Sequence, residues 1–202
     1  SITLPETLEI IVARMFYKCT SLTNIEIPPN VTKIGFHAFH DCEGLKHFRI
    51  PSSVVEIGDY AFACCRQLSS VHLLGNLHTI EARTFYDCSS LAHARIPSSV
   101  TRIERGAFAN CTRLISLELP EGLETMHVDV EYDPYDDEEK TNIDGCQSLV
   151  NLVMPSEQRF QQLDNDVVME GLKLRHVAST FTDIVSILQH RFETLPVHRL
   201  CY

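Results

Sequence analysis

Six cysteines stand at positions 19, 42, 65, 88, 111 and 146, and the first four intervals between them are each 23 residues. So regular a repeat constrains the fold more than any single residue does, because one supersecondary unit recurs along the chain. Further columns emerge on the same period. Phe16, Phe39, Phe62, Phe85 and Phe108 fall three residues before a cysteine, and Leu22, Leu45, Leu68, Leu91, Leu114 and Leu149 fall three after one. Ile11, Ile34, Ile57, Ile80 and Ile103 make a third column; Leu8, Val31, Val54, Leu77, Val100 and Leu123 make a fourth. Apolar columns of this period stay dry only if successive repeats stack, so the chain is expected to form a solenoid.

Within a repeat, the run from Leu45 to Ile50 ends in the apolar/polar alternation of a half-buried strand. Pro5, Pro28, Pro51, Pro97, Pro120 and Pro155 follow these runs, with Leu74 the exception. Proline has no amide hydrogen and so closes the strand. One rung per repeat puts strands at Ile2, Ile25, Phe48, Val71, Ala94, Leu117 and Leu152. Together they predict a parallel sheet of about seven short strands, roughly 30 Å from end to end at ~4.8 Å per rung. The return path of about 17 residues is expected to cross right-handed.

The pattern LxxLxLPxxVxxIxxxAFxxCxxL resembles the BspA-like (Treponema-type) class of leucine-rich repeats, and Leu45–Leu68 and Leu91–Leu114 match it at nearly every position. The resemblance extends from residue 1 to about 155, with proline where the common leucine-rich repeat has asparagine near the strand end. It implies a right-handed α/β leucine-rich-repeat solenoid with a concave parallel sheet. It also implies a curved recognition scaffold without chemistry of its own, in a family that includes microbial surface and adhesion proteins.

The eight cysteines do not read as a metal or disulfide framework, since no CxxC occurs and the six in register lie on successive rungs. Parallel stacked thiols also have the wrong dihedral for an unstrained bridge. They read as buried thiols acting as small hydrophobes, which suits a reducing compartment. Cys64 and Cys201 lie outside the column and are expected to be the more reactive.

The repeat breaks once. The Cys111 to Cys146 interval is 35 residues, so 12 are extra, and the inserted stretch at about 127–140 carries Asp129, Glu131, Asp133, Asp136, Asp137, Glu138 and Glu139. These supply most of a formal net charge of −10. The segment reads as a solvated loop, because its like charges repel and it offers little to bury. It lacks the glycine and the carboxylate frame of an EF-hand.

Strand positions facing away from the core form two files. One runs Ser1, Asn24, His47, Ser70, His93, Ser116, Asn151, and the other Thr3, Glu26, Arg49, His72, Arg95, Glu118, Val153. An acidic chain thus carries a basic, histidine-rich patch on its concave face: His47, Arg49, His72, His93 and Arg95, with Glu26 and Glu118 at the two ends. Such a patch suits an acidic peptide or protein, the arginines as bidentate donors and the histidines adding charge below about pH 6.5. The net charge, the absence of tryptophan and the lack of interleaved aromatics argue against a nucleic-acid surface.

The sequence predicts no enzyme and no cofactor, since GxSxG, HExxH, P-loop and GxGxxG motifs are all missing. His47, His72 and His93 as zinc ligands for a hydrolase is the one catalytic alternative, and it is weak because the three point outward from different rungs. The leading expectation is a protein-interaction scaffold, with an extracellular adhesion module of the same fold as the alternative.

Beyond Pro155 the period is lost. Thr180 to Asp183 resembles a capping box, and Ile184, Ile187, Leu188, Phe192 and Leu195 recur at helical spacing, which predicts a helix over 181–194 and an earlier one around 156–164. Residues 156–202 are read as a helical cap over the last rung, or as a junction to a further domain. The run from Arg191 to Tyr202 resembles the segment that follows the repeats in some microalgal leucine-rich-repeat proteins. The chain has no initiator Met and stops in mid-motif, so it reads as a piece of a longer protein. No 18-residue apolar run occurs, so no membrane span is expected.

Overall fold

The computed structural model describes residues 2–126, 146 and 151–153. Eleven short strands follow one another: β1 (Ile10–Ile11), β2 (Lys33–Ile34), β3 (His47–Ile50), β4 (Glu56–Ile57), β5 (Ser70–Leu73), β6 (Thr79–Ile80), β7 (His93–Arg95), β8 (Arg102–Ile103), β9 (Ser116–Glu118), β10 (Thr125–Met126) and β11 (Asn151–Val153). The order β11-β9-β7-β5-β3 forms one sheet, and every neighbouring pair in it is parallel. In register, Phe48 lies beside Val71 and Ala94 beside Leu117, so each rung buries the same column. Burial alternates along β3, with Phe48 and Ile50 inside and His47 and Arg49 outside.

The expected rungs at Ile2 and Ile25 meet through a single parallel bridge instead of full strands. Seven rungs are therefore present as five strands and one bridged pair. Among the described residues no ladder pair joins Ile25 to β3, and the sheet opens there.

The return path was expected as a plain crossover, but it carries ladders of its own. β1, β2 and β4 form one three-stranded parallel sheet, and β6, β8 and β10 another. Ile11 pairs with Ile34, and Ile80 with Ile103, so the isoleucine column is the buried half of these two-residue strands, with Met126 taking its place in β10. Two residues are too few to show a period of two, which is why the sequence did not reveal them.

Stacked rings fill the interior. Successive centroids of Phe16, Phe39, Phe62, Phe85 and Phe108 lie 5.0, 5.2, 5.6 and 5.4 Å apart, the rings of each pair nearly parallel. Phe48 meets Phe39 and Phe62 edge-on at 4.9 and 4.6 Å, an arrangement the ring quadrupoles favour.

No helix occurs among the described residues, so the α component expected of the fold is absent from them. The outer side of each coil is a chain of turns. Arg14 and Lys18, His37 and Asp41, Tyr60 and Cys64, Arg83 and Asp87, and Gly106 and Asn110 all have positive φ, four apart within a coil and 23 apart between coils. Each is the third residue of a turn, as with Met15 N–H to Val12 O at 3.2 Å and Cys19 N–H to Phe16 O at 3.1 Å, the position that demands a left-handed backbone in a type II turn. Alternate amides point to the next coil instead: those of Arg14, Phe16 and Lys18 donate to the carbonyls of Phe36, Ala38 and His40 at 2.9, 2.8 and 2.8 Å. With amides committed alternately to the turn and to the neighbour, no i to i−4 series is left for a helix.

The in-register thiols do more than pack. Cys42, Cys65, Cys88, Cys111 and Cys146 are buried, and each Sγ donates to a phenylalanine carbonyl of the preceding coil at 3.1–3.2 Å. The sequence separation is 26 in the first four and 38 in the last, so the insertion of 12 residues leaves the stacking register intact. Burial drives the Cys42, Cys65, Cys88 and Cys111 thiols towards the neutral form, Cys42 up to about 12. The insertion and the predicted helices at 156–164 and 181–194 lie outside the described residues.

Glu81, directly after β6, is half-buried, and burial raises its carboxyl pKa, with the Asp59 and Glu104 carboxylates adding to the shift and Arg102 opposing it. A raised pKa in the fold means that ionisation costs stability: its contribution is whole below the unfolded pKa and lost as pH rises through the folded one. Glu81→Gln should therefore raise the melting temperature at neutral pH. In melts near pH 3.5 the gain should vanish, since both states then carry a protonated Glu81.

Candidate functional site

The outward positions of β3, β5, β7 and β9 carry polar side chains. The first file is aligned by the ladder, with His47 beside Ser70, Ser70 beside His93 and His93 beside Ser116. His47 Nδ1 and Ser70 Oγ share a hydrogen bond of 2.8 Å, with Ser69 Oγ at 3.4 Å. In the second file Arg49 lies beside His72. The ladder between β5 and β7 consists of Ser70 and His93 alone, so the file Arg49, His72, Arg95 is broken after His72. Arg95 instead pairs with Glu118, its Nε 3.4 Å from Oε2.

That pairing changes the electrostatics expected from the sequence. Arg95 is partly neutralised by its neighbour, whereas Arg49 has no ion-pair or hydrogen-bond partner among the described residues. The free positive charge therefore sits at one end of the patch. There, where the sheet opens between the Ile25 rung and β3, is a hollow of about 530 Å³ lined by Glu26, His47, Phe48, Arg49 and His72, among others. Its lining sets one carboxylate, one guanidinium and two imidazoles beside the apolar Ile25, Ile27, Phe48 and Pro51. Such a lining can take an acidic side chain at Arg49 and a donor group at Glu26.

His47, His72 and His93 occupy three separate positions on two files, and they do not form a ligand cluster. Among the described residues, a potential ligand cluster occurs on the outer turns instead: one donor atom each from His40, Asp41 and Cys64 lies within 4.8 Å of the others. Sequence reasoning missed it, though Asp41 and Cys64 stand one period apart and His40 is adjacent. Cys64 was expected to be among the more reactive thiols, and the structure argues the reverse. Burial first, then the Asp87 and Asp41 carboxylates, push its pKa up to about 11, and a thiolate that is scarce attacks slowly. Cys201 lies outside the described residues.

The same outer turns hold an aromatic cluster. Tyr17 stacks on His40 at 5.3 Å, His37 stacks on Tyr60 at 4.8 Å, and the two imidazoles lie 4.6 Å apart. Burial, then His40 and Arg14, push His37 down to about 4, and burial also lowers His40.

Stacked coils, a continuous inner column and a parallel sheet with a polar face define a repeat scaffold of the parallel solenoid class. The profile of the BspA type leucine rich repeat region matches residues 1–115 in 6 copies, more than half of the chain, and the chain belongs to that family. Solved structures agree. A leucine-rich repeat protein of Treponema pallidum superposes with a TM-score of 0.67 at 28% identity, over 87% of this chain and 83% of that one. One from Eubacterium ventriosum gives 0.67 at 25% over 76% of this chain and 38% of its own. A leucine rich cell surface protein of Faecalibacterium prausnitzii gives 0.60 at 24%, over 80% of this chain and 36% of its own, a likeness of fold alone. A comparison with curated proteins gave no match. The family and fold are typically non-catalytic, and no helix among the described residues is long and apolar enough to cross a membrane.

Proposed function

We propose that this chain is a non-catalytic interaction scaffold that binds a protein or peptide along the polar face of the five-stranded sheet, with Arg49 as the principal anchor for an acidic side chain. The observation that carries the reading is Arg49, without an ion-pair or hydrogen-bond partner among the described residues, in the hollow beside β3 that His47 and His72 also line. A guanidinium with its donors free offers a bidentate site to a carboxylate, and such charge-assisted pairs are roughly twice as strong as neutral hydrogen bonds. His93, Arg95, Glu118 and Glu26 extend the contact surface, with Arg95 and Glu118 already satisfying each other. Strand-face side chains of this kind support no core, so changing them leaves folding alone.

The test compares the chain with an Arg49→Glu/Arg95→Glu variant as bait in source-cell lysate. The expected result is a protein retained by the original chain and lost by the variant, with melting temperatures nearly equal. Arg49→Glu alone should lose most of the binding and Arg95→Glu alone little. Equal capture by both baits would sink the concave-face site, and loss of folding in the variant would make these arginines structural.

A further inference from the structure

The outer turns bring His40, Asp41 and Cys64 together, and we propose that these three residues bind a divalent transition-metal ion of the zinc type, with the fourth position left to water or an external ligand. Three observations carry this.

Geometry is the first. Tetrahedral zinc has bonds of about 2.0–2.3 Å to nitrogen, oxygen and sulfur, which places neighbouring donor atoms about 3.3–3.6 Å apart. His40 Nε2 and Asp41 Oδ2 are 3.4 Å apart, and all three donor atoms fall within 4.8 Å of one another. Two adjacent coils assemble the set, His40 and Asp41 from one and Cys64 from the next, about 4.8 Å further on, a gap that side chains can close.

The second is preorganisation. Asp41 and Cys64 occupy equivalent left-handed turn positions, with φ of 58° and 60°. Their amides are tied to the following coil, Asp41 N–H to Ala63 O at 2.9 Å and Cys64 N–H to Tyr86 O at 2.7 Å. The backbone thus fixes where both side chains leave the chain, and the Tyr17 ring stacked on His40 restrains the imidazole.

The third is the disposition of the neighbouring charges. Arg66 is engaged by Asp87 at 3.0 Å and Glu43 at 2.6 Å, and Lys18 lies over the Tyr17 ring at 5.2 Å. Asp87 is thereby held by Arg66, leaving Asp41 as the carboxylate of the set. A nitrogen, an oxygen and a sulfur donor form a mixed set that suits zinc and cobalt(II) and disfavours magnesium or calcium, which prefer oxygen alone. On binding, the sulfur–metal bond replaces the Cys64 S–H bond and the proton passes to solvent.

His40 Nδ1 is buried with no hydrogen-bond partner among the described residues. Ligating histidines usually donate from the second nitrogen, and loss of such a partner typically lowers affinity about 10–100-fold. The site therefore belongs at the weaker end of zinc affinities.

Titrating the whole chain with cobalt(II), then displacing it with zinc, tests this directly. One cobalt per chain should bind and produce a thiolate-to-cobalt charge-transfer band together with the visible bands of tetrahedral cobalt. Cys64→Ser should abolish the charge-transfer band, Cys201→Ser should leave it intact, and Asp41→Asn should weaken zinc binding by at least about 100-fold, since a direct ligand matters more than its support. Asp41→Asn keeps the shape of the side chain, so it decides the matter even if Cys64→Ser fails to fold. No charge-transfer band in the original chain, a band that survives Cys64→Ser, or zinc affinity unchanged by Asp41→Asn would each overturn the site.

Discussion

Replacing Phe62 with alanine is expected to cost about 3–5 kcal/mol, the range for deleting a large ring from a well-packed interior. Phe62 is fully buried and touches three rings, stacked on Phe39 and Phe85 and edge-on to Phe48. Neighbouring coils are locked by amides on both sides, so the walls cannot close over the gap, and most of the cavity term should be paid in full. A domain typically has about 5–15 kcal/mol in total, so one ring is a large fraction of it. The check is the urea midpoint of Phe62→Ala beside that of Phe16→Ala. Phe16 stacks on one ring and is 6% exposed at the end of the column, so its loss should cost clearly less. Equal losses at the two positions would show that the column does not act through nearest neighbours.

Gly58→Ala should destabilise by about 1–3 kcal/mol, the range for forcing extra volume into a close-packed site. The sign is the informative part. Alanine for glycine in a compatible conformation usually stabilises by about 0.4–1 kcal/mol through the unfolded chain, and Gly58 has no left-handed backbone to forbid it. Space forbids it instead. A Cβ there would lie 2.6 Å from the Phe36 amide nitrogen and 3.0 Å from its Cα, backbone atoms of the adjacent coil. Gly58 N–H bonds to Ile34 O at 2.8 Å, so opening the gap breaks the ladder. Gly106 gives the contrast: its φ is +64°, but its nearest atom is the movable Cγ of Arg83 at 3.0 Å. Four other residues hold the equivalent backbone position with side chains, so Gly106→Ala should cost about 1–2 kcal/mol for the left-handed conformation alone. Thermal melts of the two variants decide it, and a stabilised Gly58→Ala would refute the steric argument.

The coil, the phenylalanine column and the outward files of the sheet were legible in the sequence, because each is a column with one side-chain requirement repeated at one spacing. What escaped had no such requirement. Left-handed turn residues are Arg, Lys, His, Tyr, Cys and Asp as readily as Gly or Asn, since the hydrogen bonds between coils impose their backbone and the side chains only tolerate it. The two-residue ladders escaped for lack of length. On the polar face the residues were legible and their partners were not: that Arg95 meets Glu118 while Arg49 has no partner among the described residues depends on register and side-chain reach. His40, Asp41 and Cys64 could have been found by carrying the period on to polar columns, where Asp41 and Cys64 align.

The absence of outer helices from the described coils has a consequence for shape. An outer helix would need about 10 Å per coil against the ~4.8 Å of a strand, and that mismatch bends a stack into a horseshoe. Here the outer turns bond amide to carbonyl between coils as the sheet does, and the ring column advances by only 5.0–5.6 Å per coil. Turns and sheet are thus both joined coil to coil by backbone hydrogen bonds, and the described stack lacks the wider outer spacing that packed helices impose.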